Sequence, residues 1–361
     1  MGVNQKHFLN LANGIFNMDT KSFSEFSPNH PISEKMEVRY ESEAKCELFL
    51  KMFLANILEP ADIDLLQRYL SQILDGINHS QTILVLTGES GWGKSSLMKI
   101  LGSLVGWNRV GIIREQLFRD ECELAHYANK HLLYHPDMPT DFLDRKEASL
   151  FKQLCGGDPL WANTKFDGRL VLEGNFPLVL ACNGKPKIHI DQDADAWMRR
   201  LVVLSFKKPD HDQHIGKMGE LILKTEASGI LNWLLEGRAK LLKDKLQLTQ
   251  TPEQKARAVN LLLGSESPAA FVRGCLVKKK DGVLGMVDLY EKYQAWCKTH
   301  QLAPFSSKLF GQIAKTEIEM GLGLKYRHDL VSEGGGVRRG WKGLAMGEPE
   351  NGQIASKESV V

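Results

Sequence analysis

The spacing of hydrophobic positions changes along the chain. Residues 1–46 hold short apolar stretches between turn residues such as Asn13-Gly14, which predicts a small β-like or irregular N-terminal segment. In residues 47–78, apolar side chains recur every three or four positions, which predicts helices that restart at Pro60. From residue 79 to 247, short continuous apolar runs alternate with helical stretches. This alternation is typical of an α/β domain with a buried parallel sheet.

Four apolar runs are the candidate strands of this sheet, and amphipathic stretches between and after them predict helices. The strand candidates are residues 82–87, 131–135, 178–182 and 201–206. The helical candidates are residues 95–105, 116–128, 145–154 and 215–246.

The C-terminal third predicts a second, smaller domain. Residues 248–267 predict a linker and one helix, which we expect to end at the turn residues 264–268. Residues 268–345 predict two helices and two strands around a glycine-rich turn, the layout of a winged helix. These elements are residues 287–297, 307–320, 323–327 and 337–341, and a polar, flexible tail is expected over 346–361.

Charge distinguishes this second domain from the rest. The chain of 361 residues is nearly neutral, with 46 Lys and Arg against 44 Asp and Glu. Residues 265–345 alone carry 13 basic and 8 acidic side chains, which indicates a polyanionic partner for that segment.

Composition excludes several other classes of protein. A hydrophobic fraction of 43% and a charged fraction of 25% are typical of globular domains and exclude a disordered or fibrous chain. The six cysteines show no CxxC spacing, so we expect reduced thiols, no zinc knuckle and a cytoplasmic location, in a bacterial or other host cell. No apolar run reaches about 18 residues and no secretory signal is evident, so no membrane association is expected.

The motif GESGWGKS at residues 88–95 carries the strongest chemical signal, because it fits GxxxxGK[ST] in full. An apolar strand candidate precedes it and an apolar helix candidate follows it. Glycines let successive backbone N–H groups converge on phosphate oxygens at a helix N-terminus. We therefore predict an ATP-binding loop with Mg²⁺ as cofactor. Its predicted members are Gly88, Glu89, Ser90, Gly91, Trp92, Gly93, Lys94, Ser95 and Ser96, with Lys94 on the β- and γ-phosphates and Ser95 on the metal.

Polar residues end two other strand candidates. Asp137 follows the apolar run 131–135 and is a candidate second Mg²⁺ ligand, although no second acid adjoins it. Asn183 ends the run 178–182 and is a candidate contact for the γ-phosphate or the attacking water. The alternative is that Asp137 is a loop or cap residue and that Asn183 belongs to a turn before Gly184.

Two adjacent arginines, Arg199 and Arg200, precede the last strand candidate. They are candidates for an arginine finger that reaches the nucleotide of a neighbouring subunit. The alternative is a surface salt bridge.

The order of these motifs resembles that of superfamily 3 helicases, specifically the C-terminal helicase part of phage, plasmid and poxvirus-type primase-helicases. Outside the nucleotide loop, each matching segment is weak alone, but together and in order they are specific. They are residues 13–20 (NGIFNMDT), 40–44, 150–159 (LFKQLCGGDP), 181–183 (ACN), 196–201 (AWMRRL), 229–233 (GILNW), 289–297, 310–311 and 340–344 (GWKGL).

The resemblance implies a P-loop, AAA+-like parallel sheet core with an N-terminal helical collar and a C-terminal winged-helix domain. It also implies a ring-forming ATPase, expected to be a hexamer, that moves along single-stranded DNA and unwinds forked DNA during replication of a phage or mobile element. No primase domain precedes the core in this sequence, so priming is expected from another domain or another chain.

The resemblance further implies a DNA-binding hairpin between the second and third motifs. Residues 161–172 are the candidate, with Lys165 and Arg169 around the tight-turn pair Asp167-Gly168.

In the second domain, Lys278, Lys279, Arg338 and Arg339 are candidate contacts to DNA phosphates. For these residues and for the hairpin cations, an ordinary solvated basic surface is the alternative.

Two other functions compete with a helicase motor. One is a P-loop ATPase that acts as a replication initiator or DNA-binding regulator without processive unwinding. The other is a small-molecule kinase, which is disfavoured because it accounts for neither the paired arginines nor the winged segment.

Overall fold

The computed structural model describes residues 8–26, 35–120, 122–164, 168–188, 194–209, 215–300, 302, 304–331 and 337–347. The chain divides into two compact units, Met1–Leu261 and Leu262–Val361. None of the described helices combines the length and apolar character needed to cross a bilayer.

The N-terminal segment contains a small antiparallel sheet, as the turn-rich pattern predicts. Its strands are β1 (Phe8–Leu11), β2 (Gly14–Asn17) and β3 (Ser22–Ser24), which pair in that order. The Asn13 side chain fixes the following chain to this sheet, because it donates to the carbonyl oxygen of Tyr40 and accepts from the Tyr40 amide.

Helices follow, as predicted for residues 47–78. They are a π-helical segment (Leu48–Leu54), α1 (Ala55–Ile57), α2 (Pro60–Leu70) and a 3₁₀ turn (Ser71–Ile73). Pro60 opens α2 at a position where its missing N–H costs nothing. The Gln67 side chain of α2 donates to the carbonyl oxygen of Trp233 at 2.8 Å. This helical segment therefore shares one hydrophobic core with the sheet that follows.

The remaining strands of the first unit form a parallel sheet and a separate hairpin. The strands are β4 (Ile83–Thr87), β5 (Val110–Ile112), β6 (Leu132–Met138), β7 (Asp158–Thr164), β8 (Gly168–Gly174), β9 (Leu178–Cys182) and β10 (Leu201–Ser205). The parallel sheet has the order β10-β4-β9-β6-β5, and β7 pairs with β8. All five residues of β4 and of β9 are buried, which explains their continuous apolar sequences. The predicted α/β fold class is confirmed.

Helices cover this sheet. They are α3 (Lys94–Val105), α4 (Leu150–Gly156), α5 (Ala194–Met198) and α6 (Ile215–Lys243). Short 3₁₀ segments lie at Trp107–Arg109, Glu115–Phe118, Glu123–Tyr127 and Lys146–Ser149.

The structure differs from the sequence analysis in three details of this unit. The stretch 116–128 is not a continuous helix but two 3₁₀ segments, Glu115–Phe118 and Glu123–Tyr127. The stretch 145–154 is a 3₁₀ turn followed by α4. Sequence reasoning missed β5 because three residues are too short to establish a period.

The second unit has the predicted winged-helix layout. Its elements are α7 (Pro252–Cys275), which begins in the first unit, β11 (Leu276–Gly285), α8 (Met286–Thr299), α9 (Ser307–Leu322), β12 (Arg327–Val331) and β13 (Val337–Met346). The three strands form an antiparallel sheet in the order β11-β13-β12. Aromatic side chains build its core, and the rings of Tyr293 and Phe310 stack at 4.3 Å.

Here too the structure corrects the sequence. The helix predicted to end at 264–268 continues through Pro268 to Cys275. The strand predicted at 323–327 begins only at Arg327, because Gly323 has a left-handed φ of 61° and ends α9 by donating to the carbonyl oxygen of Glu319. Strand β11 was missed because its basic, polar sequence lacks an apolar alternation.

Candidate nucleotide and DNA sites

The loop at residues 88–93 leaves β4 at its carboxyl end and leads directly into α3. Gly91 and Gly93 have left-handed φ values of 83° and 97°, which glycine adopts without a steric cost. A Cβ on Gly93 would also lie 3.1 Å from the Cδ1 atom of Ile57. Glycine at positions 91 and 93 therefore allows the chain to turn from β4 into the N-terminus of α3, and helix N-termini are places where proteins bind anions.

Lys94 is buried at the centre of this loop. Its Nζ donates to the carbonyl oxygens of Gly88 at 2.6 Å and Glu89 at 2.9 Å. Burial lowers the pKa of Lys94, and the nearby Cys182 and Asp137 oppose that shift. The lysine is thus held inside the loop, at the carboxyl end of the parallel strands, where Asp137 and Asn183 also lie.

The other predicted members of the loop differ in their exposure. Trp92 is half-buried against the main core and anchors the loop. Three members, Glu89, Ser90 and Ser95, are exposed, and Ser96 is half-buried.

The structure brings Asp137 and Asn183 together. The pairing of β6 with β9 shifts by one residue between His135 and Met138, so Pro136 and Asp137 form a bulge at the strand end. The Asn183 side chain donates from Nδ2 to Oδ1 of Asp137 at 2.8 Å. A bulge re-aims the side chain that follows it, and here the exposed carboxylate meets the end of the neighbouring strand.

Tyr134 is buried near the predicted metal ligands, and nothing in the sequence pointed to this residue; its hydroxyl donates to the carbonyl oxygen of Pro136 at 3.5 Å. Burial raises the pKa of Tyr134; the Ser95 side chain opposes that shift and the Asp137 charge adds to it. Ser95 and Asp137 are therefore both close enough to Tyr134 to influence its hydroxyl. A hydroxyl and a carboxylate fit Mg²⁺, which is bound by one or two protein ligands together with substrate phosphates and water. Within the described ranges, no cluster of three or more His, Cys, Asp or Glu side chains offers a metal site.

The two arginines have different environments. Arg200 is buried, and its Nη1 donates to the carbonyl oxygen of Ala196 at 3.0 Å. Arg199 is exposed. Both lie at the amino end of β10, whose Leu201 pairs with Ile83. The nucleotide loop begins five residues beyond Ile83, roughly 16 Å along the strands. Arg199 thus lies at the amino end of the parallel strands, whereas the candidate nucleotide loop of the same chain lies at their carboxyl end.

The predicted hairpin exists and is longer than expected. Asn163 pairs with Arg169 and Trp161 with Val171, so these four residues share one face. Arg169 is exposed, and Trp161 is 65% exposed. The opposite face, with Leu160 and Leu172, is buried. The predicted Lys165 lies outside the described residues.

The predicted cations of the second unit occupy two separate places. Lys278 and Lys279 are exposed on β11, where Lys278 pairs with Leu344. Arg339 is exposed on β13 next to Gly340, which pairs with Gly285 at the other end of the same ladder. Arg338 belongs to β13 and pairs with Leu330. Lys278 and Arg339 therefore lie at different ends of this ladder.

Comparison with known proteins adds a relationship for the first unit. A family of unknown function (DUF5906) matches residues 86–200, from the end of β4 to Arg200. A protein named putative helicase from Acanthamoeba polyphaga mimivirus is 26% identical over 209 residues, which cover 55% of this chain and 22% of the relative. The chain thus spans about a fifth of the length of this curated relative. The predicted resemblance to a helicase-like protein is confirmed.

Two solved structures of the NrS-1 C-terminal region also match. One has a TM-score of 0.46 and 13% identity, and the match covers 88% of this chain and 84% of that one. The other has a TM-score of 0.47 and 12% identity, with coverages of 89% and 84%.

Proposed function

We propose that this chain is a DNA helicase motor of superfamily 3 that hydrolyses ATP between the subunits of a ring. The observation that carries the proposal is that the Lys94 loop, Ser95, Asp137 and Asn183 all lie at the carboxyl end of the parallel strands. Arg199 is exposed at their amino end. Because Arg199 cannot reach its own loop, a complete site needs a second copy of the chain.

Each residue has a defined part in this proposal. The amides of residues 88–95 and Lys94 would hold the ATP phosphates, and Ser95 with Asp137 would hold Mg²⁺, which neutralises phosphate charge when bound. Asn183, which donates to the Asp137 carboxylate, would hold that carboxylate in place and would orient the attacking water. Arg199 of the adjacent copy would stabilise charge on the transferred phosphoryl group. Arg200 is excluded from this last part because its guanidinium is buried in its own chain.

The DNA-binding part of the proposal concerns both units. Arg169, with Lys165 at the hairpin, would follow the phosphates of single-stranded DNA. Lys278, Lys279, Arg338 and Arg339 would contact forked DNA from two ends of the winged sheet. A hexameric ring, a role in replication of a phage or mobile element, and a primase elsewhere in the same or another chain belong to the same proposal.

The test is strand displacement on forked duplexes with 3′ or 5′ tails, together with ATP turnover and native mass. We expect wild-type protein to assemble with ATP and DNA and to displace one strand. The Lys94→Ala variant should lose turnover and displacement while keeping its thermal midpoint. Turnover without displacement would instead support an initiator or regulator. Full turnover by a strict monomer would refute the intersubunit site.

A further inference from the structure

The segment LFKQLCGGDP at residues 150–159 is a recognisable motif, yet it contains no residue of the nucleotide site. It forms α4 and the start of β7. Its contacts run in two directions, toward the arginine turn after α5 and toward the base of the β7–β8 hairpin.

Helix α4 contacts the arginine turn at Lys152 and at Gly156. The Lys152 Nζ lies 5.4 Å from the centre of the Trp197 ring, within the range of a cation–π contact. Trp197 is 1% exposed and lies two residues before Arg199. The Arg200 guanidinium also lies against α4, because its Nη2 atom is 3.6 Å from the point that a Cβ on Gly156 would occupy, and its Nη1 donates to the carbonyl oxygen of Ala196 in α5. Helix α4 therefore contacts the residues on either side of Arg199, Trp197 before it and Arg200 after it.

The same segment holds the hairpin base. The Gly157 amide donates to the carbonyl oxygen of Gly174 at 2.7 Å, and the Phe176 amide donates to that of Leu154 at 2.9 Å. A Cβ on Gly174 would lie 2.0 Å from the carbonyl oxygen of Gln153. The end of β8 is therefore packed directly on the backbone of α4, with no room for a side chain between them.

We infer that Lys152 and Arg200 are positioning residues that join the hairpin to the turn bearing Arg199. When single-stranded DNA binds the hairpin and moves it, α4 transmits this movement to Arg199. DNA binding thereby controls ATP turnover in the neighbouring subunit. The inference rests on the proposed function, because it takes the hairpin as the DNA contact and Arg199 as the intersubunit finger.

The test compares wild type, Lys152→Met, Lys152→Arg and the control Lys99→Met, which removes an exposed lysine of α3. ATP turnover is measured with and without oligo(dT), and oligo(dT) affinity and thermal midpoint are measured in parallel. For Lys152→Met we expect stimulation by DNA to fall about fivefold, the scale of one cation–π contact. Basal turnover, affinity and thermal midpoint should stay close to wild type. Lys152→Arg keeps the cation over the ring and should restore stimulation, and Lys99→Met should match wild type.

Amide hydrogen exchange gives a second readout. Oligo(dT) should slow exchange over residues 194–205 in wild type but not in Lys152→Met. Unchanged stimulation and unchanged protection in Lys152→Met would overturn the inference and leave the helicase proposal intact. A wild-type protein whose turnover ignores DNA would overturn the proposed function, and this inference with it.

Discussion

Adjacent arginines provide a sharp test, because Arg199→Ala and Arg200→Ala should fail in different ways. An arginine finger contributes about 10³–10⁵-fold to turnover in phosphoryl-transfer ATPases and GTPases. Since Arg199 is exposed, its removal should lower ATP turnover by about 10³-fold or more without changing stability.

Arg200 is 8% exposed, and its removal deletes a charged hydrogen bond to Ala196. A hydrogen bond to a charged group contributes about 1.5–3 kcal/mol to the free energy of unfolding. In a unit of this size that corresponds to a thermal midpoint lower by about 3–12 °C.

The assay is steady-state ATP turnover alongside thermal unfolding, followed by mixing of subunits. A catalytic finger in trans predicts that inactive Arg199→Ala and inactive Lys94→Ala subunits recover part of the turnover when mixed, because some interfaces then contain one intact loop and one intact arginine. The reasoning is refuted if Arg199→Ala keeps wild-type turnover, or if Arg200→Ala unfolds at the wild-type temperature. Absence of recovery after demonstrated subunit exchange would reject action in trans.

Two further predictions concern stability and DNA affinity. Burial alone would raise the pKa of Asp75, but His79 and Arg238 hold it below its ordinary value, so its stabilisation is present above about pH 4 and is lost as the pH falls further. Asp75→Asn should therefore lower the free energy of unfolding by about 3–5 kcal/mol at pH 7. Urea titrations should show that this difference between wild type and variant becomes smaller below about pH 4. A difference that does not change with pH would contradict the ion pair. The variant Lys165→Ala with Arg169→Ala should weaken single-stranded DNA binding and flatten its salt dependence by about 0.7 in log–log slope for each phosphate that is no longer neutralised. An unchanged slope in fluorescence anisotropy titrations would place the DNA contact elsewhere.

The position in the fold of the residues proposed to bind nucleotide was predictable, because their signals are local. A fully buried strand must be apolar along its whole length, so β4 and β9 stand out in the sequence, and Lys94 and Asn183 follow from where those strands end. The left-handed glycines of the loop are equally visible, since few other residues adopt their φ values.

Features that depend on tertiary contacts were not predictable. The sequence Arg199-Arg200 does not indicate which of the two side chains is buried, because the packing of Arg200 against α4 decides it. The bulge that aims Asp137 toward Asn183 appears only in the register of β6 against β9.

The exposure of Trp161 offers an optical reporter that needs no added dye. At 65% exposure it should emit at long wavelength and be quenched readily by iodide, whereas Trp197 and Trp341 are shielded. Trp107 is another exposed tryptophan, at 49%, and a Trp107→Phe background leaves Trp161 more exposed to quencher than the half-buried Trp92 and Trp296. Intrinsic fluorescence can then follow, in real time, any event that covers or uncovers this face of the β7–β8 ribbon.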